Sequence, residues 1–183
     1  MKQATQEKNK TTNIDPVTLK IIYYFIEKLD GVLGKTHLQK MLFLTDLLAT
    51  KKFKEPLSKV KFQKYRYGPY SEEINEYIKD LKNRDLIRVQ EFPYNTDKTK
   101  TYTRFYSNKK GSVKTQLLKE IGAEKILLID EIINSYGNVS LQEVLDVVYK
   151  LEMVKQTELC KPIEMAKIIE TEKNNNTDII DIF

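Results

Sequence analysis

Gly34-Lys35-Thr36-His37-Leu38-Gln39-Lys40-Met41-Leu42-Phe43-Leu44, continued by Thr45 to Ala49, is the segment around which the rest of the chain organises. Leu38, Met41, Leu42, Thr45, Leu48 and Ala49 recur at helical spacing, and Phe43, Leu44 and Leu47 carry the apolar surface further around the cylinder. A helix that is apolar on most sides has to sit inside its domain, because no single neighbour covers it. The pattern predicts a central helix from Lys35 or Thr36 to Ala49.

Upstream, Asp15-Pro16 supplies an N-cap and a proline at the first helical position. Val17, Ile21, Tyr24, Phe25 and Leu29 follow at helical spacing, and Gly31 and Gly34 bracket a turn. Downstream, Val60 to Tyr67 reads as a strand, closed by a turn at Gly68-Pro69, since proline fixes its own φ and restricts the residue before it. Ser71 is placed to cap the next helix, with Glu72 and Glu73 in its first turn and Ile74, Tyr77, Ile78 and Leu81 on its buried face. Leu86 to Phe92 and Lys100 to Ser107 form a hairpin around the polar tip Asn95-Thr96-Asp97-Lys98.

Residues 112–136 read as helix, with Leu118, Ile121, Leu128, Ile129, Ile132 and Tyr136 inward and Gly122 as a candidate break. Ser140-x-x-Glu143 is a capping box ahead of the stripe Leu141, Val144, Leu145, Val148 and Leu151. Pro162 is placed to open one more short helix. The expected fold is mainly α (α+β): a compact helical domain with a small antiparallel hairpin or sheet, winged-helix-like in its element order. Residues 1–13 read as a disordered leader. Residues 14–151 read as a single helical domain with its hairpin at about 86–107. Residues 152–183 read as an acidic, partly mobile C-terminal segment.

With 183 residues, 40% of them apolar, the chain has the length and the core-forming material for one domain. There is one Cys and one His. A structural zinc site takes about four such ligands, and a disulfide takes a second Cys, so neither is expected. No run approaches the roughly 18 apolar residues of a membrane span. Met1 to Asn13 has no apolar stretch that would make it a secretion signal. The expectation is a soluble, cytoplasmic protein without cofactor, metal or membrane partner.

Catalysis finds little support. His37 is the sole imidazole, set in the first turn of a helix, where the positive end of the macrodipole disfavours imidazolium. It reads as a surface or partly packed side chain. Glu72 and Glu73 are adjacent, so on a helix they point about 100° apart and do not share a substrate. Neither a phosphate loop nor a nucleophile elbow occurs in the sequence.

Charge is uneven. Residues 1–110 hold 23 Lys and Arg against 13 Asp and Glu, a net +10, whereas residues 111–183 hold 8 against 13, a net −5. Lys61 and Lys64 belong to one basic cluster; Lys98, Lys100 and Arg104, interleaved with Tyr102, Phe105 and Tyr106, belong to another. Cations among aromatics suit nucleic-acid contact. The densest local signal is Tyr65-Arg66-Tyr67-Gly68-Pro69-Tyr70-Ser71. Tyr and Arg supply rigid contact area, so Tyr65 to Tyr70 is the candidate partner-binding patch; the alternative is a turn whose tyrosines pack under the helices.

Two segments together resemble the Panacea, or SocA-type antitoxin, family. Lys35, Leu38, Gln39 and Lys40 match its K-x-x-L-Q-K helix, and Gly68, Pro69 and Ser71 match its Gly-Pro turn and following helix. The resemblance covers roughly residues 15–150. Many members carry an aromatic such as Trp before Gly-Pro; the Tyr-Gly-Pro-Tyr-Ser form here resembles a bacterial and archaeal side-branch. The resemblance implies a compact, mainly helical fold with a small sheet. It also implies protein binding rather than catalysis, in a setting beside toxin genes or in phage and other mobile elements. Within it, Lys35, Gln39, Lys40 and Ser71 support the motif, with Gln39 and Lys40 hydrogen-bonding to the Gly-Pro turn.

Two functions remain open on these residues. One is a non-enzymatic antitoxin or adaptor that binds and masks a partner protein. Its surface would extend to a groove-binding tail peptide, Ile179, Ile180, Ile182 and Phe183, which loosely resembles sliding-clamp peptides. The other is a winged-helix-type DNA-binding regulator using the basic wing. Ser71-Glu72-Glu73 at the start of the helix in the recognition position opposes the second, because carboxylates there repel phosphates.

Overall fold

The computed structural model describes residues 14–32, 34–94, 98–111 and 113–166. Helix α1 (Pro16–Lys28) starts as its sequence requires, with the Asp15 carboxylate accepting from the Thr18 amide at 2.8 Å. Helix α2 (Lys35–Phe53) is the centre: every residue from His37 to Leu47 is buried. It is covered by α5 (Ala123–Tyr136), by α6 (Leu141–Lys150), by α1 and by strand β2 (Gly68–Tyr70). Helix α1 in turn packs on α3 (Glu73–Asn83), on α4 (Val113–Ile121) and on strand β4 (Thr101–Ser107). A short helix α7 (Glu152–Gln156) follows α6. Two antiparallel hairpins complete the domain: β1 (Gln63–Tyr65) with β2, and β3 (Ile87–Pro93) with β4. The architecture is mainly α with two small sheets.

Because α2 is enclosed, its polar residues need partners inside the protein. Asp46 is fully buried and accepts from the amides of Leu57 (3.0 Å) and Ser58 (2.8 Å) and from the Ser58 hydroxyl. That ties the loop after α2 back onto it. The Lys59 amide donates to Thr18 Oγ1 at 2.9 Å, so the same loop also anchors the start of α1.

Several expectations change in three dimensions. Helix α2 runs one turn beyond Ala49, to Phe53, and stops where Lys54 turns left-handed. The strand expected over 60–67 is only Gln63–Tyr65. Gly68-Pro69 is not the turn but the start of the returning strand, with Tyr65 opposite Gly68 and Lys64 opposite Pro69. The loop itself is Arg66-Tyr67. Pro69 fits there because a two-stranded sheet leaves an edge that needs no donor. Ser71 does not cap α3: Glu72 holds the N-cap position, and Ser71 is buried with both backbone groups engaged elsewhere.

Leu118 is 45% exposed and Leu117 takes the inward position. Gly122, at φ +85°, ends one helix and begins another, so a stripe read through it as one helix has the wrong phase before it. Leu141, the first residue of α6, is exposed. Pro162 pairs with Gln63 in an isolated bridge, and Ile163 beside it joins the core.

Candidate protein-binding face

The β1–β2 hairpin is short, and three residues in its strands cannot hold it alone. Its support comes from the central helix. The Gln39 side chain donates from Nε2 to the Ser71 carbonyl (2.8 Å) and accepts at Oε1 from the Ser71 amide (2.9 Å). One residue along, Lys40 Nζ donates to the Pro69 carbonyl at 2.7 Å. The sequence placed Gln39 and Lys40 against Gly-Pro. In the structure Lys40 serves Pro69, while Gln39 serves Ser71, the residue after β2. From the other side Tyr149 Oη, on α6, donates to the Arg66 carbonyl at 3.3 Å. Gly68 adopts φ +78°, and a Cβ there would lie 3.4 Å from Val148 Cγ1, so this left-handed position against α6 favours glycine. Residues 160–163 close the outer edge of β1: the Cys160 amide donates to the Lys64 carbonyl and the Lys64 amide to the Lys161 carbonyl.

On this clamped base the aromatic side chains project. Tyr65 is 50% and Tyr67 59% exposed, while Tyr70 is half-buried with its ring centroid 5.5 Å from that of Tyr65. Between the three tyrosines, Gly68 and the start of α2 lies a cavity of about 240 Å³. Its wall includes Lys35 and Thr36, and Gln39 and Lys40 also line it. Lys40 is only 2% exposed, and no carboxylate pairs with it among the described residues. Burial pulls its ammonium down to about 8. The motif places Lys40 in a supporting role; its burial as a charge emerges in the fold. The signal was there: Lys40 stands between Gln39 and Met41 on a helix with no polar side.

A second cavity, about 610 Å³, lies on the other flank of the α2 start. Lys35, Thr36 and His37 line it from one side, and Tyr94, Tyr102 and Arg104 of the second hairpin line it too. Arg104 is committed structurally. Its Nη1 donates to the carbonyls of Gly31 (2.6 Å) and Val32 (3.0 Å), and its guanidinium lies over the Tyr102 ring. The basic candidates are not one cluster along the sheet: Lys61 and Lys64 belong to the first hairpin's segment, and Lys98, Lys100 and Arg104 to the second's. Lys64 Nζ donates to the Lys155 carbonyl at 3.1 Å. The candidate tail peptide, Ile179 to Phe183, and the leader lie outside the described residues.

His37 is buried rather than at the surface. Its Nε2 lies 2.8 Å from the Tyr136 carbonyl oxygen, which can only accept, so that nitrogen carries the proton. Burial holds its pKa below the ordinary value. Among the described residues no group of three or more His, Cys, Asp and Glu is placed to hold a metal ion. No helix among them is long and apolar enough to cross a membrane.

The site is thus a central helix, buried from His37 to Leu47, beside two hairpins, one of which carries exposed tyrosines over a buried lysine. The chain belongs to the antitoxin SocA-like, Panacea domain family, whose model matches residues 38–153. The matched span takes in Gln39, Lys40, both hairpins and α6. A search of curated proteins returns no match.

Proposed function

We propose that the protein is a non-enzymatic, antitoxin- or adaptor-like module that binds and masks a partner protein in a toxin–antitoxin, phage or other mobile-element setting. The observation that carries this reading is the Tyr65–Tyr70 hairpin. Two tyrosines are half or more exposed on a hairpin whose returning strand is pinned from beneath by Gln39 and Lys40, at Ser71 and Pro69. Rigid aromatic side chains lose little entropy on docking, which is what a binding hot spot needs. The second reading, a DNA-binding wing, has less to support it, because Arg104 is already spent on the α1–α2 turn.

The test is a tagged pull-down from the native host at moderate salt, with half of the eluate treated with nuclease. One stoichiometric protein that survives nuclease, and is lost when Tyr65 and Tyr67 are both changed to Ala, is the expected result. Nucleic acid without such a protein, released as salt rises, would replace this reading with the regulator one.

A further inference from the structure

We propose that the cavity under the Tyr65–Tyr70 hairpin receives an acidic side chain of the partner protein, whose carboxylate pairs with Lys40 at its floor. This rests on the protein-binding reading and names the chemistry of its contact. An ammonium has three donors, and here one is used, on the Pro69 carbonyl. Burying a cation with a single neutral partner is costly, and a well-packed apolar residue of the same length fills such a site more cheaply. The cost makes sense if a counter-charge arrives from outside.

The surroundings select the sign and size of that group. The cavity is lined by Lys35 and Lys40 and by no carboxylate. The N-terminus of α2 opens beside it, and its N-cap Gly34 offers no capping side chain, so the helix end adds positive potential there. About 240 Å³ accommodates a Glu or Asp side chain, not a folded element. Tyr65 and Tyr67, exposed at the mouth, would close over its methylenes and exclude water, which strengthens the ion pair beneath.

The experiment uses the full chain with the protein captured above. Zero-length carbodiimide coupling joins amines to carboxylates in contact, and mass spectrometry reads the junction. The expected result is an isopeptide bond from Lys40 to an Asp or Glu of the partner. Affinity should also fall at least tenfold in Lys40→Met while the variant stays as cooperatively folded as wild type. Thr36→Glu serves as a second variant should Lys40→Met fail to fold. It sets an internal carboxylate at the cavity wall, in a first helical turn that favours it, and should weaken the complex as strongly. A partner that binds both variants like wild type, with no Lys40 junction, overturns the inference and leaves the binding reading standing. A Lys40 junction to Asp178 or Asp181 of the same chain makes the tail the occupant and overturns it too. In parallel, N-acetylglutamate amide is titrated against lysine-labelled protein by NMR. Saturable binding at Lys40 without any stoichiometric protein partner assigns the cavity to a free carboxylate. Absence of both partner and probe binding refutes the inference and the proposed function together.

Discussion

Gln39 and Ser71 close a ring of two hydrogen bonds: the side-chain amide of one residue pairs with both backbone groups of the other, across 32 positions of sequence. The glutamine acts as a one-residue strand, satisfying the end of β2 from the surface of the central helix. Ser71 is buried, so nothing else supplies those bonds.

Gln39→Ala therefore leaves a buried donor and a buried acceptor unpaired. The expected loss is about 2–4 kcal/mol by urea unfolding, combining two unsatisfied groups. A loss below about 0.5 kcal/mol would mean that water replaces the amide and that the ring holds nothing in place.

Lys40 makes the protein more stable in mild alkali. Its pKa falls from 10.5 to about 8 because burial penalises the ammonium. The unfolded chain binds the proton more tightly, so below pH 8 the folded state carries the full penalty, on the order of 3 kcal/mol. The penalty is relieved as pH rises from about 8 towards 10. Above that, buried tyrosines such as Tyr24, Tyr77 and Tyr136, all pushed upward by burial, work the other way. Lys40→Met should unfold at pH 7 within about 1 kcal/mol of wild type, or be more stable than it. Its stability should not rise between pH 8 and 10; a parallel rise would assign that dependence elsewhere.

Asp46 acts in acid with the opposite group. Full burial raises it from 3.8 to about 6, against the lowering effect of the hydrogen bonds from Ser58 and Leu57. The folded state then binds its proton first, so this contribution to stability grows as pH falls from 6 towards 4, by about 3 kcal/mol at most. Asp46→Asn retains an acceptor for the two amides and should lose that slope. Asp46→Ala retains none and should cost about 2–4 kcal/mol at pH 7. Equal pH slopes for wild type and Asn would refute the assignment.

His37 runs against Asp46 in the same range. Burial lowers its pKa, so the unfolded chain takes up the proton first and stability drains away as pH falls below about 6.5. His37→Gln keeps a donor for the Tyr136 carbonyl without the titration. Because Asp46 titrates against it in the same window, the readout is the difference between the two proteins: His37→Gln should gain stability relative to wild type as pH falls from 7 to 5, and a difference that stays constant over that range would contradict the buried, neutral imidazole.

Tyr65 and Tyr67 separate stability from binding. Both are half or more exposed, so changing each to Ala should move the unfolding free energy by less than about 0.5 kcal/mol apiece. If Tyr67→Ala melted the domain instead, its ring would be part of the packing and not a contact surface.

Much of this was legible beforehand. The cap at Asp15, the capping box at Ser140 and the hairpin that became β3–β4 depend on residues within a few positions of each other, and each formed where expected. The errors share a cause. Gly68-Pro69 looked like a turn because proline and glycine mark turns, but its neighbours on α2 and α6 hold it as a strand. Leu118 falls on the inward stripe only if one helical period continues across Gly122, and at φ +85° that glycine breaks the period.

By itself the sequence determined the enclosed central helix, its start beside Gly34 and its mainly α surroundings, because hydrophobic period and capping are local properties written in consecutive residues. The polar residues of that helix take their roles from packing. Gln39 answers Ser71, Lys40 answers Pro69 and His37 answers Tyr136, which lies 99 positions away. A buried polar group takes whichever partner the packed chain brings within about 3 Å, and sequence spacing carries no record of that distance.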